Sequence, residues 1–186
     1  MNHLKTPPKK CLGTLETTRL TSSPLGSNDY NDLRLIHGDP RCADPMAMEP
    51  LDEAYTADYV EKSKAHWAAH GFGMRMFRHK QDGSFVGFSG LRHSWQMDHD
   101  EIALGYAVCS TAWNRGFATE MNLAVLAEVF ARPTIESVVA ITFPENRNSR
   151  RVLEKAGLQY ESDILHGGAT HARYRIWNPI MEETQP

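Results

Sequence analysis

The chain is 186 residues long, 41% hydrophobic and 23% charged, a balance that supports one globular core. A formal net charge of −3 argues against a dedicated nucleic-acid binder, and no apolar run approaches the ~20 residues that would cross a bilayer. Cys11, Cys42 and Cys109 are odd in number and far apart, so no disulfide framework is expected. MNHLKTPPKKCLG at the start has no apolar h-region, and these features together predict a cytoplasmic chain without a signal peptide.

Residues 1–13 read as a flexible tail, followed by a single domain over 14–182. LETTRLTSSPL (Leu15 to Leu25) is rich in β-branched residues and predicts an opening strand. NDYNDLRLIHGDP holds a short helix stopped by Gly38 and Pro40. PLDEAYTADYVEKSKAHWAAHG is the clearest amphipathic helix. Pro50 suits its first turn, Asp52 and Glu53 favour the positive end of its dipole, and Gly71 ends it. FGMRMFRHK and SFVGFSGLRHSW follow as strands joined around Gln81-Asp82-Gly83, a hairpin signal.

EIALGYAV (Glu101 to Val108) is a third strand of this group. Ile102, Leu104, Tyr106 and Val108 share one face, and Ala103, Gly105 and Ala107 the other. So small a face suggests either close helix packing or a ligand against the backbone, and an interior Gly often marks a bulge. WNRGFATEMNLAVLAEVF then opens as a turn and continues as a helix apolar on nearly every side. SVVAITF is a short strand closed by Pro144, NSRRVLEKAG a helix with Gly157 at its C-cap, and YESDILHGGATHARYRIW a hairpin turning at Gly167-Gly168. The order predicts a mixed α/β sheet.

The turn from Trp113 to Ala118 lies between a strand and a helix, where free N–H groups and the helix's positive end attract an anion. Gly116 and Ala118 allow close approach, and Arg115 adds charge. The turn is neither a Walker A loop nor a Rossmann fingerprint.

Taken in order, GFGMRMF, SFVGFSGLRH, EIALGYAV, WNRGFATEMNLAVLAEVF and ENRNSRRVLEKAGL resemble the GNAT acyltransferases, especially the branch that includes ribosomal-protein N-terminal acetyltransferases. The resemblance runs from about Leu15 to Trp177. It implies a mostly antiparallel, twisted sheet flanked by helices, with central strands splayed to hold acetyl-CoA as co-substrate. It also implies that Trp113, Asn114, Arg115, Gly116, Phe117, Ala118 and Thr119 hold the pyrophosphate, with Asn114 standing where Gly is common. The Tyr106, Ala107 and Val108 backbone is then expected to pair with the pantetheine arm as an added strand. Asn146 and Ser149 fall beside the pantetheine and the sulfur, and Arg147, Arg150 and Arg151 are candidates for the adenosine 3′-phosphate.

The implied reaction is direct acetyl transfer to an amine. Val108 N–H is the expected oxyanion donor, Glu101 the expected base, with Asp98, His99 and Asp100 as nearby substitutes, and Ser149 the expected proton donor. The tyrosine that many GNAT enzymes use as acid is replaced by Leu153. An inconspicuous base leans toward a protein N-terminal α-amine, which is partly neutral at pH 7. Small-molecule amines and a non-catalytic acyl-CoA-binding module are the alternatives; oligomeric state is left open between a monomer and the homodimer common among relatives. No metal is expected: His66 and His70 have i, i+4 spacing but no HExxH pattern or Cys cluster. Cys109 reads as a small buried residue rather than an acetyl carrier. Met46, Met48, Trp67 and Phe72 read mainly as core that could border the acceptor cleft. The acceptor loops around His37 to Met48 and His166 to Ala172 carry no readable code.

Overall fold

The computed structural model describes residues 13–43, 49–94 and 101–182. Eight strands form one sheet: β1 (Leu15–Glu16), β2 (Leu20–Pro24), β3 (Met74–His79), β4 (Phe85–Ser94), β5 (Glu101–Val108), β6 (Ser137–Thr142), β7 (Gln159–His166) and β8 (Ala169–Trp177). Their order is β1-β2-β3-β4-β5-β6-β8-β7. Every pairing is antiparallel except β5 with β6. The helices are α1 (Tyr30–His37), α2 (Pro40–Ala43), α3 (Glu53–His70), α4 (Phe117–Phe130), α5 (Arg147–Lys155) and α6 (Pro179–Glu182).

The predicted opening strand is two strands, because Thr17 to Arg19 turn out of the sheet and the Thr17 hydroxyl accepts from Leu20 N–H. Pro50 lies ahead of α3 rather than in it. Asp52 is the N-cap, its carboxylate accepting from Tyr55 N–H at 2.7 Å, and Gly71 closes the helix in the left-handed region at φ 69. Gly38 ends α1 as expected, but Pro40 opens α2 instead of only terminating a helix.

Two apolar clusters sandwich the sheet. On one face Ile102, Leu104 and Val108 of β5 pack with Met121, Val125 and Val129 of α4 and Leu153 of α5. On the other, Leu33 and Ile36 of α1 and Val60 of α3 meet Met74, Met76 and Phe88. α4 is less enclosed than its composition suggests, since Leu123 is 48% exposed and Ala127 is exposed too. Arg75 on β3, fully buried beside the Trp67 ring, donates through Nε to Glu128 of α4 at 2.8 Å, tying helix to sheet. Trp67 itself donates to the Met74 carbonyl at 2.7 Å, and Phe72 is buried, so both belong to the core.

Candidate active site

The site begins where the sheet fails to close. β4 and β5 pair without interruption from Gly87↔Val108 to Ser94↔Glu101, so the bulge suggested by Gly105 is absent. The opening comes instead from β5 and β6, whose ladder is a single pairing at Ala103↔Val139, so their facing backbone groups are unpaired on either side of it. Cys109 N–H donates to the Val86 carbonyl across β4 at 2.9 Å. Antiparallel alternation therefore turns the N–H groups of Tyr106 and Val108 away from β4, into the opening. The small side chains of β5 face α1 and α3, where the Met74 ε-methyl lies 3.8 Å from where a Gly105 Cβ would stand.

The turn before α4 lies at the mouth of this opening. Asn114 has φ 59 and Gly116 φ 78, two left-handed residues that fold the chain back on itself. Asn is among the few side chains that tolerate this region, which explains how it stands where Gly is common. Gly116 is the N-cap of α4 and has no capping side chain, so the first N–H groups of α4 are not bonded by a cap side chain. The turn is anchored at both ends. Trp113 Nε1 donates to the Val108 carbonyl at 2.8 Å, and Arg19 donates to the Arg115 carbonyl at 2.9 Å. Arg19 is held by Glu120 at 2.6 Å and stacks on Phe117, on which Arg115 also lies. Arg19 had no signal in the sequence: it comes from the break between β1 and β2, nearly a hundred residues away. Ala118 and Thr119 fill the first turn of α4, half-buried behind Phe117.

α5 approaches from the other side of the opening. Asn146 is its N-cap, accepting from Ser149 N–H at 3.0 Å, so Ser149 is not the cap. The Ser149 hydroxyl lies 2.8 Å from that of Tyr106, which also donates to the Ser149 carbonyl at 3.2 Å. Burial pushes the Tyr106 phenol up to about 12, keeping it protonated. Leu153 is fully buried in the core. The three arginines part company. Arg150 is engaged by the Tyr174 hydroxyl at 2.8 Å and the Pro144 carbonyl, whereas Arg147 and Arg151 are exposed.

Glu101 is drawn into a network on the opposite face. Its Oε1 accepts from both Arg173 and Arg175 at 2.8 Å, and these arginines also bind Glu161. Glu161 sits at the β7 register shift between Tyr160 and Ser162, and a bulge there re-aims its carboxylate at both cations. Glu101 Oε2 is buried without a hydrogen-bond partner among the described residues. Sequence reasoning missed Arg173, Arg175 and Glu161, since only register places them beside Glu101. The substitutes Asp98, His99 and Asp100, and Met46 and Met48, lie outside the described residues.

Other candidates resolve differently. Burial raises the Cys109 thiol to about 12, which leaves it protonated and a poor nucleophile. His66 Nδ1 lies 2.9 Å from the Phe72 carbonyl and Nε2 accepts from His93 N–H, so neither ring nitrogen is open to a metal.

A splayed pair of parallel strands, an uncapped helix start at its mouth and a carboxylate across the sheet are the arrangement that the resemblance to GNAT acyltransferases implies. The chain belongs to the GNAT acetyltransferases: that domain family matches residues 19–159. Among curated relatives, the uncharacterized N-acetyltransferase YoaA of Bacillus subtilis is 28% identical over 120 residues, 61% of this chain and 63% of its own. The uncharacterized protein YkkB of the same organism is 26% identical over 113 residues, 61% of this chain and 66% of its own. The match thus spans just under two thirds of the length of these relatives. An acetyltransferase of Agrobacterium tumefaciens superposes with a TM-score of 0.78 at 26% identity, covering 90% of this chain and 95% of that one. At 15% identity, spermidine N-acetyltransferase of Vibrio cholerae, solved with CoA and spermine, shares the fold with a TM-score of 0.69 over 87% of this chain and 97% of its own.

Proposed function

We propose that the chain is an acetyl-CoA-dependent N-acetyltransferase that passes the acetyl group directly to an amine, with an α-amine as the leading acceptor. The observation that carries this is the pair of N–H groups at Tyr106 and Val108, turned into a sheet opening whose mouth is an uncapped helix N-terminus. A thioester arm laid along β5 as an added strand meets the first, and its pyrophosphate meets the second. Trp113, Asn114, Arg115, Gly116, Phe117, Ala118 and Thr119 are the pyrophosphate residues in this reading. Arg147 and Arg151 are the free cations for a 3′-phosphate. The Vibrio cholerae spermidine N-acetyltransferase, which shares the fold, is solved with CoA, and this supports CoA as the group such a fold takes up.

In the reaction the amine lone pair attacks the thioester carbonyl carbon, and the carbonyl oxygen takes the charge, facing Val108 N–H. The amine proton passes to Glu101 Oε2, directly or through one water, which requires the amine to arrive from the α1–α3 face. The C–S bond then breaks. The thiolate takes its proton through the Ser149 hydroxyl, which recovers one from solvent while the Tyr106 hydroxyl, 2.8 Å away, holds it in place. This pair performs the task for which Leu153 has no acid. Orienting amine and thioester together contributes up to ~7–11 kcal/mol of the barrier in favourable cases.

The test is to follow free-thiol release from acetyl-CoA with the purified chain and a panel of peptides and small amines. Release with at least one amine is expected. Tight acetyl-CoA binding with no release across the panel would leave a binding module rather than an enzyme.

A further inference from the structure

Among the described residues, the α1–α3 face of the sheet carries a cation, Arg92, whose side chain meets no anion. Arg92 stands on β4 opposite Ala103, in a row that continues through Val139 to Arg175. Arg173 and Arg175 are in contact with Glu101 and Glu161, two cations against two anions. Arg92 is half-buried, and among the described residues it has neither an ion-pair nor a hydrogen-bond partner. A partly desolvated guanidinium without a counter-ion is costly. Such local costs concentrate at functional sites, where a ligand supplies the missing group.

Its neighbours have the chemistry to complete such a site. His93, the next residue of β4, donates its N–H to His66 Nε2 at 3.1 Å, so α3 packs along the strand that carries Arg92. The Tyr59 ring is fixed edge-on against His37 at 5.4 Å and tilted on Phe88 at 5.9 Å. Its hydroxyl makes no hydrogen bond to the described residues, and burial holds it protonated, pushed up to about 12. Burial also holds His37 and His66 down at about 4, so neither adds a charge at neutral pH. Ala103 leaves a low floor between Arg92 and the opening of the sheet, bounded by the Met74 side chain over Gly105 and by the Gly73–Met74 backbone over Gly90. The floor runs along the face that carries Glu101.

We infer that Arg92 and Tyr59 form a subsite for a carboxylate of the acceptor, so that the enzyme acts on an amine bearing a carboxylate rather than on a polycation. A guanidinium and a phenol present donors to the carboxylate oxygens, a charge-assisted arrangement, while the amine of the same molecule reaches Glu101 Oε2. The inference rests on the acetyltransferase reading and adds the class of acceptor. The carboxylate can belong to a free amino acid or to an acidic side chain at a peptide N-terminus.

Matched acceptors separate these sources: aspartate against asparagine, a peptide beginning with Asp against one beginning with Asn, and spermidine as the polycation. The carboxylate member of at least one pair is expected to show a kcat/KM higher by about 10-fold or more, and the pair that does so names the source. Arg92→Met should bring the two members within about 2-fold of each other, Arg92→Lys should retain part of the preference, and Tyr59→Phe should lose a smaller part, chiefly in KM. Calorimetric binding of acetyl-CoA by each variant reports that it is folded. Equal rates within both pairs, a preference for spermidine, or a preference that survives Arg92→Met overturns the subsite. If no amine releases thiol, the acetyltransferase reading fails instead, and the subsite stands or falls on whether aspartate binds the parent about 10-fold tighter than Arg92→Met.

Discussion

In the proposed site, the groups offered to the cofactor on the α4–α5 side of the sheet belong mostly to the main chain. They are the N–H groups of Tyr106 and Val108 and those at the start of α4. On the opposite face the groups of the site belong to side chains gathered from distant elements: Glu101 from β5, Arg173 and Arg175 from β8, Glu161 from β7, Arg92 from β4 and Tyr59 from α3. A main-chain donor survives most substitutions, whereas each side-chain group is lost with one. The first half therefore suits a ligand that never changes, and the second an acceptor that can be exchanged on the same scaffold.

The comparison breaks most visibly at Glu101. Glu101→Gln keeps the shape and an acceptor oxygen for the arginines but removes the base. Turnover at pH 7 should fall by about 10²-fold or more, while acetyl-CoA affinity stays at the parent value. Turnover should partly recover as pH rises, because an α-amine of pKa ~7.7–8.0 then loses its proton unaided. Steady-state kinetics from pH 6.5 to 9 are the measurement, and a profile superimposable on the parent's would remove Glu101 as base.

The converse change belongs to the other face. Gly116→Asp puts a side chain at φ 78, where an L-residue costs roughly 1–2 kcal/mol, and a negative charge against the expected pyrophosphate. Acetyl-CoA affinity measured by calorimetry should fall by about 10²-fold. Unchanged affinity would sink the phosphate turn, and with it the claim that this face is the cofactor's.

The unequal legibility of the two faces has the same origin. The turn could be read from Trp113 to Thr119 because its parts are consecutive, and a glycine just before an apolar run marks an uncapped helix start. Tyr106 and Val108 came from the resemblance alone, and only the register of β4 with β5 gives the direction of their N–H groups. The Glu101 network could not be read: Arg173 and Arg175 come beside it only through the register of β6 with β8, and Glu161 only through a bulge in β7. Tyr106 was expected for its backbone alone, yet its hydroxyl meets Ser149 across forty-three residues of sequence. The expected bulge at Gly105 failed for a related reason. A glycine in a strand signals that something is close, and here it is the methyl of Met74 rather than a break in the ladder.

The smallest predicted effect is the sharpest test of the main-chain claim. Asn114 has φ 59 and sits in the middle of the turn, exposed, where it looks like a side chain aimed at a ligand. If the turn works through its N–H groups, the residue matters only for the conformation it accepts. Asn114→Gly adopts that conformation freely and should leave acetyl-CoA affinity within about 2-fold of the parent. Asn114→Val, β-branched and resistant to positive φ, should weaken binding by about 10-fold although it adds no charge. A 10-fold loss in the glycine variant would mean that the amide itself touches the ligand. The α4–α5 face would then depend on side chains as the acceptor face does, and the contrast between the two would be one of degree.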